Sequence, residues 1–339
     1  MTLRWVEGFE LFGYTPAVSN PAFKDKYQGN IQVYGDDGHR FGNCARLSSS
    51  SYEFRPPAFT KKNTWVIGAD MKFDNTGMVG GTKMILADGA DEQCRIELEV
   101  SGSGWVAKFY RGATEVEATS RIMETGQWYY LEFKATVHPS AGSYELRIDG
   151  EPLLSGSGNT ADQGVAGADE VALKGIGWMD HIYFLDSDGD TNNTFLGPQV
   201  VEGVFPNADG DVTDFSLGGA GAAHYDRIDD PAAPDDSDYV YSDDADDQDL
   251  FQFANLGKTD DEINGVALVL AALLAAADTR SFRGRFRTPD DDTYTFSTTS
   301  IDWDSLSETL QILGENPDTD LPWHRDDVDD GQFGVELET

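Results

Sequence analysis

The 339-residue chain carries 61 acidic against 24 basic side chains, a formal charge of −37, together with 39% hydrophobic and 12% aromatic residues. That apolar and aromatic content argues against a solvated coil, and the charge argues against nucleic acid as a partner, because a phosphate backbone is repelled at most approaches. The length accommodates two domains, each with its own core.

The acid is mostly aspartate and lysine is scarce, the balance expected of a surface kept soluble in concentrated salt, so a halophilic or marine origin is one expectation. Cys44 and Cys94 form neither a disulfide framework nor a zinc-ligand spacing and read as buried free thiols. The opening "MTLRWVEGFELFGY" lacks a basic region followed by an apolar core, and no apolar run reaches about 18 residues. Neither Sec targeting nor a membrane span is expected from the chain's own signals.

In "TWVIGADMKF", Trp65, Ile67, Ala69, Met71 and Phe73 alternate onto one face, the period of a half-buried strand. "CRIELEV" repeats the pattern with Ile96, Leu98 and Val100, and "GWVAKFYRG" follows across an "SGSG" turn. "QWYYLEFKATV" is a longer aromatic strand. In "SYELRIDGEPLL" the Asp149-Gly150 pair favours a type I′ hairpin. "GIGWMDHIYFLD" then supplies a strand ending at "DSDGDTNN". Many short antiparallel strands without a convincing amphipathic helix predict a two-sheet sandwich of the jelly-roll kind.

The composition then shifts. Residues 226–249 hold eleven aspartates, one arginine and two prolines, which reads as a long solvated loop with a short strand at Tyr239, Val240 and Tyr241. "GVALVLAALLAAAD" has helical composition while its continuation "TRSFRGRFRT" alternates like a strand. "DSLSETLQILGENP" opens with a capping-box pattern, Ser305 to Glu308, yet Leu310 and Ile312 also alternate. Periodicity alone leaves both segments open.

"TWVIGADMKF", "WYYLEFKATV" and "YELRIDGEPL", in this order, resemble the concanavalin A-like, laminin-G-like jelly roll. "MDHIYFLDSDGDTNNTFLGPQVVEGVFPNADGDVTDFSL", then "HYDRIDD" with "DDSDYVYS", and later "ENPDTDLPWHRDDVDDGQFGVEL", resemble a family of virion structural proteins of tailed phages and related viruses. The resemblance spans nearly the whole chain and is strongest from residue 179 onward. It implies that the second half is a further β-domain, that "GVALVLAALLAAADTRSFRGRFRT" is a hairpin turning at Asp278-Thr279, and that "SLSETLQIL" is extended. It implies no catalytic residues.

The expectation is therefore an all-β chain: a concanavalin A-like jelly-roll sandwich over residues 1–197, followed by a second β-sandwich-like domain over residues 198–339. The resemblance implies a non-enzymatic virion structural protein. It would sit on the particle surface as a capsid-decorating or tail-associated component, docked through protein–protein contacts to other virion proteins, in a closed homo-oligomer. The alternative is a carbohydrate-binding, lectin-like protein acting on a host surface glycan; a polysaccharide hydrolase ranks below both.

Three sets of residues are candidates for a site. Asp186, Asp188 and Asp190 stand at alternate positions with oxygen ligands suited to calcium, but the spacing is not that of an EF-hand, since Gly197 occupies the place of the bidentate Glu. The competing reading is a polar turn that ends the last jelly-roll strand. Glu97 and Glu99 lie roughly 6 to 7 Å apart on one strand face, within reach of the separations used in glycoside hydrolysis. The retaining jelly-roll glucanases carry a third acid where this chain has Gly102, so a solvated strand face is expected. Tyr129, Trp105, Tyr110 and Trp178 are either core or sugar-stacking platforms. His39, His138, His181, His224 and His324 are scattered without metal-site spacing.

Overall fold

The computed structural model describes residues 2–11, 31–35, 38–39, 42–73, 81–121, 123–219, 221–229, 237–258, 262–275, 279–301 and 307–338. The chain divides into two compact units, with the change from one to the other between Val201 and Glu202. Asp278, the expected turn residue, and Ser305 of the capping-box pattern lie outside the described residues.

The first unit contains β1 (Thr2–Glu7), β2 (Gln32–Tyr34), β3 (Cys44–Phe54), β4 (Thr64–Lys72), β5 (Thr82–Asp88), β6 (Asp91–Ser101) and β7 (Gly104–Arg111). It continues with β8 (Thr114–Ala118), β9 (Met123–Glu124), β10 (Trp128–Thr136), β11 (Gly142–Ile148), β12 (Glu151–Gly158) and β13 (Glu170–Asp186). The strand order is β12-β11-β10-β4-β13-β5-β6-β7-β8, and every pairing is antiparallel.

The long strand β13 makes this a sandwich. Its first residues, Glu170 to Lys174, pair with β5, and its later ones, Trp178 to Asp186, pair with β4. Its other edge carries β3 and then β1. One strand thus leads from one sheet into the other. The facing layers meet through aromatic rings: Phe109 of β7 stands 6.2 Å from Phe133 of β10, and Trp105 stands 5.2 Å from Phe73. Each such ring, fully buried, contributes about 1.5–3 kcal/mol.

The alternation in β4 is observed, since Trp65, Ile67, Ala69, Met71 and Phe73 are all buried in the core. In β6, Ile96 and Leu98 are buried but Val100 is exposed, because the strand runs out of the sandwich at its turn. Asp149 and Gly150 both adopt positive φ, 52° and 83°, and join β11 to β12 as the type I′ pair requires. Cys44 and Cys94 are buried free thiols, and burial pushes the Cys94 thiol up.

The second unit contains β14 (Pro206–Thr213), β15 (Ser216–Gly218), β16 (Tyr239–Tyr241), β17 (Gln248–Phe253), β18 (Glu262–Ile263) and β19 (Val266–Ala272). Then come β20 (Arg280–Arg287), β21 (Thr293–Ile301), β22 (Ser307–Leu313), β23 (Trp323–His324), the short helix α1 (Arg325–Asp329) and β24 (Gln332–Glu338). A five-stranded antiparallel sheet in the order β14-β17-β24-β20-β21 packs through Phe286, Phe296 and Phe333 onto Leu268 of β19 and Trp323 of β23. Gly284 lets the two layers approach, as a Cβ there would stand 2.8 Å from Leu268 Cδ2.

Both ambiguous segments are extended where they are described, but the expected hairpin is corrected. β19 pairs with β22, Val266 opposite Leu313, while β20 lies between β21 and β24. The strands on either side of Asp278-Thr279 therefore belong to different sheets. The Asp-rich stretch does carry the short strand β16, paired with β15. Its last residue, Asp249, is not solvated. That carboxylate is fully buried, accepts the Phe215 amide at 2.9 Å and contacts His224 Nδ1 at 2.7 Å.

Candidate functional site

On the face of β4 turned away from the core, side chains fall into cross-strand rungs. The first rung reads Trp128–Lys72–Trp178–Arg46–Gln32, each residue directly opposite the next across β10, β4, β13, β3 and β2. With neighbouring strands ~4.8 Å apart, the rung spans roughly 19 Å. All five side chains are half-buried, whereas the adjacent row of Met71, Met179, Ala45 and Val33 points into the core and is buried.

The rung is tied together by its own contacts. The Lys72 ammonium lies 4.8 Å from the Trp128 ring centroid and 4.7 Å from that of Trp178. Arg46 reaches the Trp178 ring at 5.1 Å, and Tyr34 meets it edge-on at 4.8 Å. His39 stacks on Trp128 with centroids 5.2 Å apart and planes 19° apart. Cation–π contacts of this kind contribute about 0.5–2 kcal/mol each and hold the rings in place.

The second rung, Tyr130–Asp70–Asp180, lies one step along the same face and is fully buried. Asp70 Oδ1 stands 2.8 Å from His39 Nδ1, and Asp180 accepts the His39 amide at 3.0 Å and the His181 amide at 2.8 Å. Burial pushes the Asp180 carboxyl up to about 8, with Glu10 and Asp70 reinforcing the rise and the two amides opposing it.

A bulge in β13 prepares the third rung. Four residues on β13, from Asp180 to Tyr183, face three on β4, from Asp70 to Gly68, and His181 takes a φ of 46°. Tyr183 is thereby returned to the face of Asp180, opposite Gly68, and its hydroxyl donates to Glu132 Oε1 at 2.5 Å. The Leu196 amide donates to the same hydroxyl at 3.2 Å, and the Gly197 amide donates to Glu132 at 2.8 Å. The segment leaving the sandwich is thus fastened over this third rung, while the first rung stays half-exposed.

Asp186, Asp188 and Asp190, the candidate calcium ligands, face protein groups. Asp186 is buried and receives Arg4 Nε at 2.7 Å, and Asp188 receives Arg4 Nη2 at 3.0 Å and Lys62 Nζ at 2.5 Å. The hydrogen bond from Lys62 holds the Asp188 carboxyl below its ordinary range, and Asp190 accepts from Asn193 through its carbonyl. Asp186, Asp188 and Asp190 do not converge: among the described residues no group of three or more His, Cys, Asp or Glu side chains is gathered as a metal site requires.

Glu97 is engaged by Arg95 at 2.6 Å and Lys83 at 3.5 Å, and Glu99 by Lys108 at 2.9 Å and the Tyr110 hydroxyl at 2.8 Å. That face is a network of ion pairs. Among the aromatic candidates, Trp105 is core, Tyr110 lies under Arg95 at 4.1 Å, and the Tyr129 hydroxyl accepts the Glu124 amide. Trp178 alone of the four belongs to the first rung. Sequence reading missed Lys72, Trp128, Arg46, His39, Asp70 and Asp180. The available signal was Asp70 and Lys72 in the outward phase of a strand otherwise apolar on both faces.

No protein-family model matches the chain, and no curated protein matches it. Solved structures similar to it include the endo-β-1,4-glucuronan lyase from the fungus Trichoderma reesei, at 10% identity over 54% of this chain and 95% of that one, TM-score 0.39. Domain 4 of AbnA, a GH43 extracellular arabinanase from Geobacillus stearothermophilus in complex with arabinotriose, is 18% identical over 55% and 92%, TM-score 0.37. The cellulose-induced protein Cip1 is 11% identical over 58% and 100%, TM-score 0.37.

Proposed function

We propose that the protein binds carbohydrate, and that the first unit holds an extended glycan along the Trp128–Lys72–Trp178–Arg46–Gln32 rung. The observation that carries this reading is a half-exposed row alternating indole rings with cations and ending on an amide, held on a rigid sheet. Indole rings offer flat apolar area to the C–H faces of sugar rings. Lys72, Arg46 and Gln32 supply hydrogen-bond donors to sugar oxygens between and beyond them. Their mutual contacts and the His39–Asp70 prop fix the row before binding, which lowers the ordering cost of association.

Binding without turnover is part of the proposal. Among the described residues, the acids next to the row on the same face, Asp70 and Asp180, are fully buried beneath it, and Glu97 and Glu99 are committed to ion pairs on another strand. The test is affinity electrophoresis of the full chain through gels containing neutral and acidic polysaccharides. Retardation by at least one, without release of reducing or unsaturated ends, is expected; migration unaffected by every polysaccharide would overturn the reading.

The particle-surface role implied by the likeness of residues 179–339 to tailed-virus virion proteins is a separate proposal, compatible with glycan binding. Quantitative mass spectrometry of gradient-purified particles tests it, and absence from both heads and tails would sink it.

A further inference from the structure

Resting on the glycan reading above, we infer that the ligand is an acidic polysaccharide whose carboxylate or sulfate groups are met by Lys72, with Arg46 beside it on the same rung.

In a chain with 61 acidic and 24 basic side chains, cations are readily answered by carboxylates. Arg4, Lys61, Lys62, Lys83, Arg95 and Lys108 all have such partners among the described residues. The Lys72 ammonium is met instead by two indole rings, with no carboxylate of the described residues in ion-pair reach. The rings restrain the side chain, and its three N–H donors have no hydrogen-bond partner among the described residues.

Among the described residues, the acids nearby are turned elsewhere. Asp70, about 6–7 Å along the same strand face, is turned to His39 Nδ1. Glu10 accepts the Asn43 amide at 3.2 and 3.3 Å. Asp180 is biased toward its neutral form at pH 7 and adds little opposing charge. The rung therefore presents the Lys72 cation between two indoles on a strongly acidic protein, an arrangement complementary to oxyanions borne on sugar rings that the indoles stack. A neutral glycan would use the rings and leave the ammonium without a matching charge.

The experiment is isothermal titration of the full chain with polygalacturonate, a sulfated galactan and neutral dextran, at about 0.1 and 1 M salt, where the Debye length falls from about 10 to 3 Å. Binding to either or both acidic polymers, weaker at high salt and reduced roughly tenfold or more by Lys72→Met, is expected. Lys72→Arg should retain it; unchanged melting of both variants would exclude a folding defect. The two acidic polymers separate uronate from sulfate as the source of the oxyanion. Dextran binding as tightly as the acidic polymers, or acidic binding indifferent to Lys72→Met, would overturn the inference while leaving the glycan reading intact. No binding to any polymer, here and in the gels, would remove both.

Discussion

Asp70 and Asp180 stand directly opposite one another on adjacent strands, β4 and β13, both fully buried on the sheet face beneath the Trp128–Lys72–Trp178 row. Burial disfavours ionisation of the Asp180 carboxyl, and the Asp70 carboxyl opposite adds to this. The Asp180 carboxyl responds by rising to about 8, while Asp70 is turned to His39.

That raised carboxyl makes stability depend on pH. The folded-state pKa of Asp180 lies above its ordinary value of 3.8. The folded protein therefore holds a proton that the unfolded chain releases, and this contribution is complete at low pH and is lost as pH rises between about 4 and 8. A tenfold difference in proton affinity between the folded and unfolded states corresponds to about 1.4 kcal/mol, so the loss is on the order of a few kcal/mol. Calorimetric Tm should fall from about pH 5 to 9 in the wild type and fall less in Asp180→Asn. Parallel curves for the two proteins would contradict a raised Asp180 pKa.

Gly68 is where backbone and ring meet most closely. A Cβ at this position would stand 2.1 Å from Tyr183 Cε1, on the rung that joins β10, β4 and β13. Gly68→Ala should destabilise by about 1–3 kcal/mol through overpacking, read as a lower midpoint in urea at unchanged m. A midpoint equal to wild type would mean that Tyr183 has room to move.

Tyr183 also holds the segment that leaves the first unit. Its hydroxyl donates to the buried Glu132, whose carboxyl is pushed up by burial, and accepts from the Leu196 amide. Tyr183→Phe should cost roughly 1–3 kcal/mol and speed hydrogen exchange at Leu196 and Gly197, because Glu132 loses a donor it cannot replace with water. Exchange at these two amides identical to wild type would show that the segment is held by other contacts.

At the end of β13, the Asp186 and Asp188 carboxylates already face protein cations. Tm should therefore be the same with EDTA as with millimolar calcium, whereas Arg4→Gln should lower it by the equivalent of roughly 1–3 kcal/mol, since Asp186 would be left buried without its charged donor. A clear rise in Tm on adding calcium would favour the metal reading of this loop.

Local patterns in the sequence carried the fold class well. The alternation from Trp65 to Phe73 and the positive-φ pair Asp149-Gly150 depend on residues close in the chain, and both appear as expected. The hairpin expected around Asp278-Thr279 failed because β19 and β20 are each plausible neighbours of the other locally, whereas their partners, β22 for one and β24 with β21 for the other, are distant in sequence. The candidate site was hidden for the same reason. Trp128, Lys72, Trp178, Arg46 and Gln32 come from five strands, and only the register aligns them. The single-residue bulge after Asp180, which puts Asp180 and Tyr183 on one face, carries no mark in the sequence that a reader could separate from an ordinary strand.

The most direct test is a comparison of wild type with Trp128→Ala, Trp178→Ala and the double variant in titration calorimetry against every polysaccharide that retards the wild type in gels. Melting curves would show whether the variants fold. Each single change should weaken binding by roughly tenfold and the double change abolish it, with the fold retained. Folded variants that bind with wild-type affinity would contradict this expectation, because the glycan would then lie somewhere other than this row.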